Sequence, residues 1–145
     1  MEILLVDQDI FQTALSVYTD SWRASHKNIC SQQFLKDRDY EGHLRKKLGQ
    51  LYLITDVVPV GVFSMEENIL GDLYIHPAYQ RKGYGTRAIR FALRKFSQLR
   101  LTVLSTNISA IRLYEKIGFR FTGKDVPLRD GLFEREMRYM EKHNG

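Results

Sequence analysis

Two glycines, Gly83 and Gly85, stand where a strand-like apolar pattern hands over directly to a helical one. Upstream, Ile69 to Ile75 reads as a strand; downstream, Ile89, Leu93 and Phe96 share one helical face while Arg87, Arg90 and Arg94 share another. Between them, Gln80-Arg81-Lys82-Gly83-Tyr84-Gly85-Thr86 must turn the main chain sharply, and a residue without Cβ does so at little steric cost. The spacing predicts a helix over Gly83 to Leu99 whose apolar stripe packs on a sheet. Its N-terminus carries roughly half a positive charge and several unpaired N–H donors, a ready site for phosphate oxygens.

The charge distribution agrees with that expectation. No acidic residue lies between Leu73 and Tyr114, while Arg81, Lys82, Arg87, Arg90, Arg94, Lys95, Arg100 and Arg112 supply eight of the 22 basic residues. The rest of the chain then has 14 basic against 17 acidic residues, so the net +5 is concentrated in this one segment. A polyanion bound there is one reading and a solvated basic helix face is the other.

The remaining sequence reads as a single α/β domain over residues 1–145, in the order βααβββαβαββ, with a mixed, mostly antiparallel sheet flanked by helices. A strand over Glu2 to Val6 precedes a helix carrying Phe11, Leu15, Tyr18 and Trp22. A second helix, capped by Ser31, carries Phe34, Leu35, Tyr40, Leu44 and Leu48, ends at Gly49 and is weakened by Gly42. Strands follow at Leu51 to Thr55, Val60 to Met65 and Ile69 to Ile75, then a strand at Arg100 to Ser105 and a short helix at Ser109 to Ile117. Phe119 to Thr122 and Phe133 to Met140 form a closing strand pair with a long connection between them. Apolar runs are too short for a membrane span, and the first residues lack a signal-peptide pattern, so a soluble cytoplasmic protein is expected. Cys30 is the sole cysteine and the four histidines are far apart, so neither a disulfide nor a metal site is expected.

Leu73-Tyr74-Ile75-x-Pro77 followed by Gln80-x-x-Gly83-x-Gly85 resembles the acetyl-CoA signature of the GNAT acetyltransferases. Asn107-x-x-Ala110-x-x-Leu113-Tyr114-Glu115-Lys116-x-Gly118-Phe119 is similar to that family's second signature, and Asp130-Gly131-x-x-Glu134 continues the likeness through residues 50–140. The resemblance implies acetyl-CoA as acetyl donor without a metal, its pyrophosphate wrapped by Arg81, Lys82, Gly83, Tyr84, Gly85 and Thr86, with Gln80 at the head of the loop. It further implies that Leu73, Tyr74 and Ile75 face the pantetheine and acetyl groups as an added strand would. Asn107 would then bond the pantetheine arm, the Ile75 N–H would hold the oxyanion, and Tyr114 would act as general acid.

Acetyl transfer to an amine also needs a route for the amine's proton. Relatives that acetylate ribosomal protein N-termini carry a glutamate where this chain has Thr102, so Asp72, Glu66, Glu67 and His26 are the alternatives for a base. Trp22, His26, Tyr40 and Phe133 are candidates to line the acceptor pocket. The implied partners are an amine acceptor, small molecule or peptide, and a second copy in a homodimer; neither membrane nor nucleic acid is expected. Rival readings are a basic nucleic-acid-binding module with Tyr79, Tyr84, Phe91 and Phe96 among its charges, a dinucleotide binder lacking its third glycine, and an acetyl-CoA sensor without catalysis.

Overall fold

The computed structural model describes residues 1–140. Seven strands follow the order β1-β2-β3-β4-β5-β7-β6 in one mixed sheet: β1 Glu2–Leu5, β2 Leu51–Asp56, β3 Val58–Glu66, β4 Ile69–Ile75, β5 Arg100–Leu104, β6 Phe119–Arg129 and β7 Leu132–Tyr139. The helices are α1 Phe11–His26, α2 Gln32–Asp37, α3 Tyr40–Arg45, α4 Tyr84–Lys95 and α5 Ile108–Ile117. By contact density the chain divides into two compact units, residues 1–65 with 72–88 and residues 66–71 with 89–140.

In the first unit, β1 and β3 flank β2 in antiparallel register, with Leu4 opposite Leu53 and Leu53 opposite Val62. The β2–β3 turn is tighter than the sequence suggests: Val57 takes φ 66 and pairing resumes at once with Asp56 opposite Val58. The α1 face made by Phe11, Ala14, Val17, Tyr18 and Trp22 is buried with Leu44, Leu51, Leu53 and Val62, as its three-and-four spacing predicts.

The second predicted helix is two helices. Ser31 caps α2 as expected, its Oγ accepting the Phe34 N–H at 3.1 Å. The break falls at Arg38 (φ −60, ψ 136), because Asp39 caps a new helix by accepting the Gly42 N–H at 2.9 Å. Gly42 therefore lies inside α3 at its cap, and Leu48 lies beyond it.

In the second unit, β4 pairs in parallel with β5 at Ile69–Arg100 and Leu70–Leu101, and β7 lies antiparallel between β5 and β6. The long connection expected after Thr122 is instead strand. β6 continues to Arg129 and turns back through Asp130 (φ 31) and Gly131 (φ 77), two left-handed residues that suit a tight Asp-Gly hairpin. A bulge between Phe121 and Asp125 absorbs the intervening residues. Helix α4 ends at Lys95, so Phe96 lies past it and is partly exposed, whereas Ala88, Ile89 and Ala92 form the buried stripe.

Candidate active site

The first unit carries most of the residues singled out in the sequence. Leu73, Tyr74 and Ile75 are the last three positions of β4, directly after Asp72, whose φ of 49 interrupts the regular pleat. Gly61 on β3 allows this segment a close approach. A Cβ at Gly61 would stand 2.9 Å from the Tyr74 carbonyl oxygen and 2.7 Å from Ile75 Cδ1. Just beyond, the His76 N–H donates to the Val60 carbonyl at 2.8 Å, so β3 fixes where β4 ends.

Pro77–Tyr79 form a single 3₁₀ turn, with His76 Nδ1 accepting the Ala78 N–H at 3.2 Å. Gln80 then donates its side-chain amide to the Ile75 carbonyl at 3.1 Å, strapping the loop to the strand end. Arg81 takes φ 66 and Gly83 φ 84, and left-handed residues in such a turn curl successive N–H groups toward one side, as in anion-binding nests. The Arg87 N–H bonds to the Gly83 carbonyl at 3.1 Å, so the amides of Tyr84, Gly85 and Thr86 precede the helical ladder. A Cβ at Gly83 would meet nothing within 4 Å, leaving the main chain open to a bulky ligand. Residues 81–86 thus fit a pyrophosphate such as that of coenzyme A. Tyr84 anchors the helix start: its hydroxyl donates to Asp56 Oδ2 at 2.6 Å, a bond that lowers the Asp56 pKa and raises that of the phenol.

Of the possible bases, Asp72 Oδ1 lies 3.7 Å from His43 Nε2, while its Oδ2 lies 3.9 Å from Lys47 Nζ and accepts from Ser64 Oγ at 3.3 Å. Glu66 and Glu67 are exposed at the turn before β4. His26 stacks on Trp22 with ring centroids 3.6 Å apart, its Nδ1 2.9 Å from the Trp22 carbonyl oxygen. Burial lowers the pKa of His26, and it also lowers that of His43, whose ring lies parallel to Tyr18 at 6.0 Å. Trp22 and Tyr40 are buried in this same aromatic group, which also takes in Tyr74 of β4 through ring contacts with Tyr18 at 5.7 Å and His26 at 6.4 Å. Sequence reasoning passed over Arg38, Tyr18 and His43 here. The helix break signalled by Asp39 is what turns Arg38 inward, and a cap three residues before Gly42 was the available clue.

The second unit holds Asn107, Tyr114, Thr102 and Phe133. Asn107 is exposed and caps α5, its Oδ1 accepting the Ala110 N–H at 3.2 Å, which leaves its amide NH₂ as the side-chain donor. Tyr114, two turns along, is buried with its ring 5.9 Å from that of Phe119, and desolvation pushes its hydroxyl up to about 12. That phenol remains protonated across the physiological range. Thr102 is exposed and its hydroxyl donates to Glu134 Oε1 at 2.7 Å, so β7 brings a carboxylate to the position where the strand lacks one. Phe133 is partly exposed on β7, opposite Pro127.

Among the described residues, no helix is long and apolar enough to cross a membrane. The family model described as Acetyltransferase (GNAT) family matches residues 11–119. Over 100 aligned residues the chain is 30% identical to a spermine/spermidine N(1)-acetyltransferase of Bacillus subtilis, a match covering 58% of this chain and 65% of that relative's length. The solution structure of apo-form YjaB from Escherichia coli superposes with a TM-score of 0.78 at 21% identity, covering 97% of this chain and 98% of that one. The PaiA N-acetyltransferase of Thermoplasma acidophilum, solved in complex with coenzyme A, gives a TM-score of 0.70 at 21% identity over 95% of this chain and 98% of its own.

Proposed function

Because the chain belongs to the GNAT acetyltransferase family, we propose that it is an acetyl-CoA-dependent N-acetyltransferase acting on a primary amine of a small molecule or a protein, by direct transfer in a ternary complex. The observation that carries this reading is the left-handed pair Arg81 and Gly83 set immediately before the N-terminus of α4. A turn of that kind, followed by unladdered amides and flanked by Arg81 and Lys82, is built to receive a pyrophosphate.

Acetyl-CoA supplies an activated thioester to which a neutral amine can add. In our reading, Gln80 to Thr86 hold the phosphates, Leu73 to Ile75 offer their backbone to the pantetheine amides, and Asn107 bonds the same arm. The Ile75 N–H stabilises negative charge on the acyl oxygen. Tyr114, neutral at working pH, presents its proton to the departing sulfur. Cys30 takes no part as an acyl carrier, and no metal is invoked. The working protein is read as one domain, cytoplasmic and homodimeric. A small-molecule acceptor is favoured by the similarity to an enzyme named for spermine and spermidine.

Thermal stability with and without acetyl-CoA tests the cofactor half of the reading. A ligand at about 100 times its dissociation constant adds roughly 2.7 kcal/mol. NAD and a short RNA serve as comparators. Stabilisation by acetyl-CoA, with free thiol released on adding an amine, is the expected result. Stabilisation by RNA or NAD instead would overturn it, and binding without thiol release from any amine would make the protein a sensor.

A further inference from the structure

Arg38 occupies a cage of aromatic rings. Its guanidinium carbon lies 4.0 Å over the Trp22 ring, 4.9 Å over Tyr40 and 5.6 Å over Tyr18. Nη2 donates to the Tyr18 hydroxyl at 2.9 Å, while Nη1 is shut off from water and has no acceptor among the described residues. A buried donor without an acceptor is costly and uncommon, and it marks where a further group belongs. Tyr18 in turn packs edge-on against Tyr74, so the cage adjoins the strand segment assigned above to the acetyl donor.

The charge around the cage says what that group is. Arg23 covers the Tyr40 ring at 5.0 Å, and Lys47 reaches Asp72 at 3.9 Å. Asp72, the carboxylate beside the cage, already has Lys47, His43 and Ser64 as partners. Among the described residues, this group leaves no unpartnered carboxylate to attract a polycation. The unpaired guanidinium N–H of Arg38 suits a carboxylate oxygen, in a charge-assisted hydrogen bond of the strong kind.

We infer that the acceptor is an amino acid, an amine that also bears a carboxylate, and that the unpaired N–H of Arg38 donates to this carboxylate. The inference rests on the acetyltransferase reading and sharpens it, since it departs from a polyamine acceptor. Binding pulls the guanidinium off the Trp22 indole. Trp22 is the only tryptophan in the sequence, so its emission reports the event directly.

The test uses the full chain saturated with coenzyme A, titrated with each common L-amino acid and, separately, with its α-amide. The amide keeps the amine and the side chain and removes only the anionic charge. Expected is a saturable change in Trp22 emission with one or more amino acids below about 10 mM, at least tenfold weaker with the matching amide. In Arg38→Gln the preference for acid over amide should vanish. Arg38→Lys, which keeps the cation above the rings but loses the fork, should retain only part of it and guards against a folding defect in the first variant. No saturable change with any amino acid, or equal responses to acid and amide, overturns the inference. Failure of the acetyltransferase reading is separately visible as absence of stabilisation by acetyl-CoA.

Discussion

Replacing Gly61 with alanine should destabilise the protein and weaken acetyl-CoA binding together. The added carbon would stand 2.7 Å from Ile75 Cδ1, 2.9 Å from the Tyr74 carbonyl oxygen and 3.3 Å from Ile54 Cδ1. Both isoleucine methyls can rotate away. The carbonyl cannot, because the adjacent His76 N–H is bonded to Val60 and holds β4 in place. A comfortable carbon–oxygen contact is about 3.3–3.6 Å, so β3 and β4 must part by roughly half an ångström. Overpacking of this kind costs about 1–3 kcal/mol, offset in part by the roughly 0.5–1 kcal/mol that alanine gains over glycine in the unfolded chain. At about 3 °C per kcal/mol for a chain of this size, the net loss of about 0.5–2 kcal/mol should lower the melting temperature by roughly 1.5–6 °C. The same displacement moves Tyr74 and Ile75, so stabilisation by saturating acetyl-CoA should shrink too. Adding Ile75→Val removes one of the three contacts and should recover part of the loss, leaving the carbonyl clash. A Gly61→Ala protein that melts within about 1 °C of the parent with an undiminished acetyl-CoA response would refute the argument, since overpacked cores do not absorb such contacts silently.

Three further outcomes are expected. Gly83→Val forces a β-branched residue to φ 84 in open space, so the damage is to loop conformation, and acetyl-CoA affinity measured by calorimetry should drop about tenfold or more while global stability changes little; unaltered affinity would remove the loop from the cofactor site. Tyr114→Phe should cut turnover by about 10²-fold with coenzyme A affinity nearly intact, and undiminished thiol release would exclude this hydroxyl from the chemistry. Burial holds His26 and His43 below the ordinary imidazole value of 6.5, so the folded state binds fewer protons than the unfolded chain as pH falls past that point. Their contribution is complete above 6.5 and is lost as pH drops toward the folded-state values, so the urea midpoint should decline between about pH 7.5 and about pH 5.5; His26→Gln should flatten that decline, and an identical slope in the variant would count against the burial argument.

The parts of the fold that were legible in the sequence are those fixed by local chemistry. Ser31 as a cap, the apolar face of α1 and the glycine loop before α4 all depend on residues a few positions apart. The helix break at Arg38 was misplaced toward Gly42, because a glycine looks like an interruption until Asp39 is seen to need its N–H. The closing strand pair is legible, but its outer part reads as a connection although Asp130-Gly131 is a strong hairpin signal, since Gly123, Lys124, Asp125 and Pro127 interrupt the strand pattern there. The Arg38 cage was invisible for a different reason: its members come from α1, the junction of α2 and α3, and α3, and meet only through tertiary packing. Nothing in the spacing of Tyr18, Trp22, Arg38 and Tyr40 announces that one cation stands over three rings.

The outer strand β6 also bears on how this protein avoids open-ended strand pairing. It is the last strand in the sheet order, and eleven residues of edge would invite another chain to add alongside. The bulge between Phe121 and Asp125 and the further irregularity between Pro127 and Arg129 break that edge into short pieces. Pro127 brings no N–H to it, and Lys124, Asp125 and Arg129 put charge along it. The hairpin thus spends strand length without offering a continuous template, so straightening it, by deleting a bulge residue or exchanging Pro127 for valine, would trade solubility for a strand that polymerises.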